Sequence, residues 1–183
     1  MTILHIDSSI SGEQSASRAI SRSIVDRLSS ASPTTQVIAR DLAAEPLPHL
    51  TLAAFADSWV LDEFLVADTI VIGAPMYNFT LPSQLKAWLD RILVAGKTFR
   101  YTENGPEGLA TGKRVIVALA RGGFYDLGSP AAGLEHLESY LRGVFNFIDI
   151  EPEFIAADGL AIGPEQRDQS IAQALGHTVR LAA

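Results

Sequence analysis

Short apolar runs alternate along this chain with longer segments of helical periodicity, and this alternation constrains its fold more than any other feature. The apolar runs predict five strands: Ile3–Ile6, Gln36–Arg40, Thr69–Ala74, Arg114–Ala120 and one within Ile148–Ala157. Most segments that follow them have apolar residues three and four apart, which is typical of helices that bury one face. This order predicts right-handed crossovers and a doubly wound parallel sheet with helices on both faces.

The predicted helices follow the strands without any linker or repeat between them, so a single domain over residues 1–183 is expected. Their predicted bounds are Ala16–Ser29, Leu52–Ala67, a helix that begins at Pro82, Pro130 to about Phe147, and Pro164–Leu181. Phe99–Gly112 contains three glycines and a proline and is predicted to be an excursion without regular structure.

Composition excludes several kinds of site and partner. The chain has no cysteine, which excludes thiolate nucleophiles, iron–sulfur clusters and disulfides. Its net charge of −7 makes nucleic acid an unfavourable partner, and a phosphorylated ligand would need a local binding device. The four histidines are far apart in sequence, so no metal site is predicted. We expect no signal peptide, no membrane span and a cytoplasmic location.

The loop after the first strand is rich in hydroxyl groups. Asp7–Ser17 contains five serines and ends where the first helix begins, but it matches neither the dinucleotide-binding nor the P-loop fingerprint. A helix N-terminus offers unpaired N–H groups and a positive dipole end. With the hydroxyls of Ser9, Ser15 and Ser17, it predicts a phosphate site that needs no lysine. The alternative is that these serines only cap the helix and fill the loop.

The loop after the third strand, Ala74–Lys86, combines two prolines with aromatic, amide and apolar side chains. At the ligand edge of a parallel sheet, this content suits a flat heteroaromatic ring. The alternative is that Met76, Tyr77 and Phe79 belong to the core.

The loop after the fourth strand begins at Ala120 and contains Arg121, Gly122 and Gly123. Two glycines allow the backbone to approach a ligand closely, and the arginine would favour an electron-rich edge of a bound ring. The alternative is a plain turn with a solvated Arg121. Glu135, Glu138 and Arg142 are predicted to be a solvated helix face.

Four segments together resemble the FMN-dependent NADH-azoreductase/NADH:quinone oxidoreductase family: Asp7–Ser17, Ala74–Leu89, Phe99–Gly108 and Arg121–Gly123. The similarity extends over nearly the whole chain. It implies a flavodoxin-like three-layer α/β sandwich with strand order 2-1-3-4-5 and non-covalently bound FMN. By this resemblance the phosphate would be held by Ser9, Ser15, Ala16 and Ser17, the ribityl chain and ring by Met76, Tyr77, Asn78 and Phe79, and the pyrimidine end by Ala120, Arg121, Gly122 and Gly123. Tyr101 and Phe124 would shape the substrate face.

The resemblance also implies an activity: electrons pass from NADH or NADPH through FMN to quinones or azo compounds, by a ping-pong mechanism. No catalytic side chain is assigned, since the flavin does the chemistry. A homodimer with sites at its interface is expected. Two alternatives remain open, a flavodoxin-type electron carrier without its own NADH oxidation and a cofactor-free scaffold or regulator.

The chain departs from the family pattern at four places. Ala16 replaces a more polar residue, Ala120 stands where the family often has serine, and Tyr125 stands where some members have histidine. The segment around Thr51–Asp57 is shorter than in the family, which would change the entrance of the pocket.

Overall fold

In the computed structural model, which describes residues 1–181 except the side chains at positions 55 and 56, five strands form one parallel sheet. The bounds of all strands are β1 Thr2–Asp7, β2 Gln36–Asp41, β3 Thr69–Pro75, β4 Phe99–Thr102, β5 Gly105–Gly108, β6 Arg114–Ala120 and β7 Glu153–Ala157. The sheet order is β2-β1-β3-β6-β7. The predicted single domain covers residues 1–183, and its last two residues, 182 and 183, lie outside the described part of the chain.

The predicted order 2-1-3-4-5 changes to 2-1-3-6-7 because two strands lie where none was predicted. Phe99–Gly112 is not a structureless excursion: β4 and β5 pair antiparallel as a separate hairpin, with Phe99 opposite Gly108. Glycine and proline, which sequence reasoning reads as breakers, lie in its short, mostly exposed second strand, Gly105–Gly108.

Within residues 1–181, five α-helices cover the two faces of the sheet, and their bounds are α1 Ala16–Ala31, α2 Trp59–Val66, α3 Ser83–Ile92, α4 Glu138–Phe147 and α5 Pro164–Thr178. The core on one face joins α1 and α5 to sheet residues such as Ile3 and Val71. The core on the other face joins α2, α3 and α4 to residues such as Leu4 and Ile70. Alternate residues of each central strand thus enter opposite cores, which explains why these strands are apolar throughout.

Two predicted helices are shorter than their apolar periodicity indicates. Leu52–Ala67 divides into a 3₁₀ turn, Leu52–Ala56, and α2, because Asp57 is extended. Pro130–Phe147 divides into a 3₁₀ turn, Ala132–Leu134, and α4, because Glu135 is extended. In both cases one extended residue interrupts the helical ladder without breaking the spacing of the apolar side chains.

The register of the sheet brings the carboxyl ends of its central strands together. Asp7 is paired with Gly73, Pro75 with Ala120, and Ala120 with Ala157. The loops after β1, β3, β6 and β7 therefore meet at one edge, which is where parallel sheets bind ligands. Within residues 1–181, none of the helices combines the length and the apolar character needed to cross a bilayer.

Candidate functional site

The serine-rich loop after β1 places buried hydroxyl groups at the start of α1. Ser9, Ser15 and Ser17 are each less than a tenth exposed. Ser15 is the N-cap of α1, where its hydroxyl accepts the N–H of Arg18 at 3.3 Å and lies 3.1 Å from the hydroxyl of Ser17. The first N–H groups of this helix belong to Ala16 and Ser17, and such groups have no acceptor within their own helix. A helix cap and a group of hydroxyl and N–H donors suited to an anion therefore coexist at this helix start.

The first turn of α1 packs directly on β3 because position 73 is a glycine. A Cβ atom there would lie 2.5 Å from Oδ1 of Asp7 and 3.3 Å from the carbonyl oxygen of Ser17. Ser21 supports the same contact by donating to Oδ1 of Asp7 at 2.9 Å. The hydroxyl-rich helix start is thus fixed against the sheet edge.

The loop after β3 contains a tight turn in an unusual backbone conformation. Asn78 and Phe79 have φ angles of 49° and 73°, a left-handed conformation that is uncommon for bulky residues. Tyr77 and Thr80 close the turn with two backbone hydrogen bonds of 2.9 and 3.2 Å. Phe79 is 44% exposed, so the alternative that this loop is simply core is wrong for its central residues. Backbone strain at an exposed aromatic residue points to a functional surface.

Tyr77 connects this turn to the serine-rich loop. Its hydroxyl lies 3.2 Å from the Ser9 hydroxyl and accepts the N–H of Ile10 at 3.1 Å. Met76, by contrast, contacts the core and donates its N–H to the carbonyl of Ala120 at 2.8 Å. The loops after β1, β3 and β6 are therefore joined by hydrogen bonds.

Arg121 is buried and paired, not solvated. Its guanidinium donates to both carboxylate oxygens of Asp158, at 2.6 and 2.9 Å, and lies 3.4 Å from Glu138 and 3.8 Å from Glu135. Burial favours a lower pKa for Arg121, but Asp158 and the two glutamates raise the pKa above its ordinary value. Arg121 remains charged, and its charge is balanced by carboxylates.

Glu135 does not belong to a solvated helix face. It accepts the backbone N–H groups of Leu137, Glu138 and Ser139 at 2.7 to 3.0 Å and so caps the start of α4. Burial raises the pKa of Glu135, but these hydrogen bonds outweigh burial and hold the pKa below its ordinary value. The start of α4 and the end of β6 are thereby linked through one carboxylate.

Gly122 and Gly123 are not required by the packing of the chain itself. An added Cβ would meet its nearest neighbours, Ala161 and the ring of Tyr125, at 3.4 Å, which is ordinary contact. Backbone hydrogen bonds to the loop after β7 hold this loop in place instead. The carbonyls of Arg121, Gly122 and Gly123 accept the N–H groups of Leu160, Ala161 and Gly159, respectively, at 3.0 to 3.1 Å. The two glycines leave a bare backbone at the sheet edge.

A cavity of about 140 Å³ unites these loops. Its lining includes Ser9, Ser15, Ala16, Met76, Tyr77 and Ala120, six of the predicted cofactor residues. It shares Ser11, Gln14, Ser15, Ala16 and Arg167 with a larger, more open cavity of about 520 Å³ at the outer side of α1. A third cavity, of about 630 Å³, extends from Arg121 along Tyr125 and Leu127.

The two predicted substrate residues lie at different ends of the molecule. Phe124 is 44% exposed and close to Gly159, at the edge that holds the cavity. Tyr101 is 76% exposed on the β4–β5 hairpin, which packs against the far end of α4 through Phe99 and Phe147. Because α4 begins beside Arg121 and ten residues of helix span about 15 Å, one chain does not bring Tyr101 to this edge.

Sequence reasoning missed the charged residues around the site. Asp158 and Arg167 lie in the loop after β7 and on α5, a region to which no site was assigned. The predicted topology could have indicated Asp158, since β7 ends at the same sheet edge as β1, β3 and β6 and the loop after it begins there.

Comparisons with known proteins agree with this fold. A family profile described as flavodoxin-like fold matches residues 1–181. The FMN-dependent NADH:quinone oxidoreductase 2 of Bradyrhizobium diazoefficiens is 55% identical over the full length of both chains. The FMN-dependent NADH:quinone oxidoreductase of Rhizobium meliloti is 52% identical over 95% of this chain and 93% of its own.

Solved structures of azoreductases have the same fold. An azoreductase from Bacillus anthracis Sterne superimposes with a TM-score of 0.90 at 28% identity, over 98% of this chain and 97% of its own. An FMN-dependent NADH-azoreductase from Bacillus anthracis Ames Ancestor, in complex with FMN, superimposes with a TM-score of 0.85 at 25% identity over both full chains.

Proposed function

This chain belongs to the family with the flavodoxin-like fold, and from that membership we propose that it is an FMN-dependent oxidoreductase that transfers electrons from NADH to quinones or azo compounds. The observation that supports the proposal most directly is that Ser9 and Ser15 of the hydroxyl-rich helix start line one cavity with Met76 and Tyr77 of the loop after β3, at the ligand edge of the sheet.

The residues present at this edge fit FMN chemically. Three buried serines and the first N–H groups of α1 are the donors that a phosphate prefers. The exposed ring of Phe79 offers apolar surface for a flat ring system. The bare backbone at Gly122 and Gly123 has room for close approach, and no packing of the chain itself explains its two glycines.

We therefore keep the predicted cofactor residues as a proposal. Ser9, Ser15, Ala16 and Ser17 would hold the phosphate, the segment from Met76 to Phe79 the ribityl chain and ring, and Ala120–Gly123 the pyrimidine end. At Arg121 we expect the backbone to make the contact, because Asp158 and the two glutamates already hold its guanidinium.

Bound FMN would supply hydride acceptance and electron donation. The protein's part is to bind and orient both substrates, so we assign no catalytic side chain. Phe124, which is 44% exposed, gives apolar surface that a nicotinamide or an aromatic acceptor would contact. We propose that donor and acceptor use this surface in turn and that NADPH also serves as donor.

A spectrum of the purified protein tests the proposal. We expect a yellow protein whose flavin absorbance bleaches when NADH is added without oxygen and returns when a quinone follows. Free FMN at the same concentration is the control for uncatalysed reduction. Steady-state lines with NADH and quinone should be parallel. A colourless protein that does not respond to added FMN would contradict the function, and intersecting lines would contradict only the alternating use of one surface.

The same experiment separates the enzyme from a flavodoxin-type carrier, which would need a reductase partner to oxidise NADH. The relatives that match the whole chain are named as oxidoreductases, which favours the enzyme. We further propose a cytoplasmic location, where NADH is available, and a homodimer in which the hairpin of one protomer reaches the site of the other.

A further inference from the structure

An arginine from α5, far in sequence from the serine-rich loop, lies at the proposed phosphate site. Arg167 projects from α5, and its Nη2 donates to the carbonyl oxygen of Gln14 at 2.6 Å. It lines the 140 Å³ cavity together with Ser9, Ser15 and Ala16. The side chain is half-buried, so its charge is partly shielded from water.

Arg18 also lies near this loop, but its guanidinium is already paired with a carboxylate. Nη1 and Nη2 of Arg18 each donate to a carboxylate oxygen of Asp41 at 2.7 Å, and Nε and Nη2 also donate to the carbonyl of Ser9. This bidentate pair, with the burial that opposes it, leaves the pKa of Asp41 below its ordinary value. Arg18 therefore shapes the loop, and its positive charge is balanced within the protein.

We propose that Arg167 is a phosphate-binding residue of the FMN site. This inference rests on the proposed function. A bound phosphate monoester has a charge of about −1.5 to −2 at neutral pH, and the chain has a net charge of −7, so a local cation would add attraction to the hydroxyl and N–H donors of the helix start. The bond to Gln14 anchors one nitrogen of the guanidinium, while a guanidinium has five N–H donors in all. Arg167 thus joins α5 to the helix start that the serines form.

Riboflavin, which lacks the phosphate, provides the discriminating measurement. Dissociation constants of FMN and riboflavin are measured by fluorescence for the FMN-stripped wild-type protein and for Arg167→Gln. The amide of glutamine retains a donor for Gln14 but removes the charge. We expect FMN to bind about tenfold more weakly, the usual effect of losing one charge-assisted hydrogen bond, and riboflavin affinity to stay unchanged.

Two further variants serve as controls. Arg167→Lys keeps the charge and should retain most of the preference for FMN over riboflavin. Arg180→Gln removes one exposed arginine beyond the end of α5 and should leave both affinities unchanged. Thermal unfolding of all variants checks that they are folded.

Three results would overturn the inference. Unchanged FMN affinity in Arg167→Gln would remove Arg167 from the site, and an equal loss for both flavins would mean that it only positions the loop. Wild-type protein that binds neither flavin would overturn the proposed function together with this inference, whereas the first two results leave the function intact.

Discussion

Ser15 is placed for two roles, a helix cap and a proposed phosphate ligand. It caps α1 by accepting the N–H of Arg18, and it lines the cavity at the sheet edge, 3.1 Å from the hydroxyl of Ser17. At the sequence level these roles were alternatives. The structure shows them to be compatible, because the cap uses one lone pair and leaves the rest of the hydroxyl for another partner.

Replacing Ser15 and Ser17 together by alanine should weaken both stability and FMN binding. Loss of the cap is expected to cost about 1 kcal/mol of unfolding free energy, and loss of two donors should reduce FMN affinity by about tenfold or more. Chemical denaturation and flavin titration measure the two effects separately.

Thr51→Ala is the matched control for this double variant. Thr51 caps the 3₁₀ turn Leu52–Ala56 by accepting the N–H of Ala54 at 3.3 Å, so the substitution removes a cap outside the cavity. It should leave FMN affinity unchanged. If the double variant also retained wild-type affinity, the phosphate would have been assigned to the wrong residues.

Several of the site residues predicted from the sequence come soon after the end of a predicted strand. Ser9 and Tyr77 are found in this way, because a strand's end fixes which sheet edge they occupy. Arg167 and Asp158 were missed, since their role depends on distant partners, Gln14 and Arg121. A charged residue reveals such a partner only when the fold has brought the two together.

Among the elements, the contact of α1 with β3 determines where the proposed phosphate site lies. Gly73 makes this contact possible by omitting a Cβ that would clash with the Asp7 carboxylate at 2.5 Å and lie in tight contact with the carbonyl of Ser17 at 3.3 Å. The neighbouring strand positions are apolar and fully packed, so α1 has no free space into which to move.

Gly73→Ala should therefore destabilise the protein by about 1–3 kcal/mol, the usual cost of overpacking a core, and lower its FMN affinity. Gly143→Ala is the control with the opposite sign. Position 143 lies inside α4, and among the described residues nothing lies within 4 Å of its added Cβ. Alanine there should stabilise the protein by about 0.5–1 kcal/mol. Equal unfolding midpoints for the two variants would contradict this account of Gly73.

Element boundaries show what periodicity can and cannot predict. The central strands β1, β3 and β6 were found from their apolar runs, because burial on both faces leaves a strong composition signal. The hairpin β4–β5 was missed, since its residues after Phe99 are mostly exposed and show no such signal. The split before α4 was missed because the carboxylate of Glu135 caps the helix start by accepting backbone N–H groups. The spacing of apolar residues gives no indication of such a cap.

At the scale of the whole molecule, the position of Tyr101 argues for assembly. Tyr101 is 76% exposed on a hairpin far from the cavity of its own chain. An exposed aromatic residue on a projecting hairpin is suited to contact a second protomer. If Tyr101 helps to shape a substrate face, that face belongs to the partner's site.

Sedimentation of the flavin-bound protein should therefore show a dimer. Tyr101→Ala should raise KM for the quinone acceptor several-fold while FMN affinity stays within about twofold, because no residue of the hairpin belongs to the proposed phosphate site.

Tyr125→Phe changes a residue that lines the cavity beside Arg121, and its KM for the quinone is compared with that of Tyr101→Ala. A fully active monomer would refute the assembly, and an unchanged KM in Tyr101→Ala would remove Tyr101 from the substrate face.

The backbone bonds between Arg121–Gly123 and Gly159–Ala161 have a consequence for how this enzyme can diversify. Because amides and carbonyls hold the two loops together, most side chains there are not responsible for the loop shape. Leu160 lines the cavity from the second of these two loops. The residue type at position 159 is constrained to glycine by its φ of 71°. Because Leu160 also packs against the core of α1 and α5, apolar replacements at position 160 are the ones expected to reshape the ligand pocket while the surrounding scaffold stays constant.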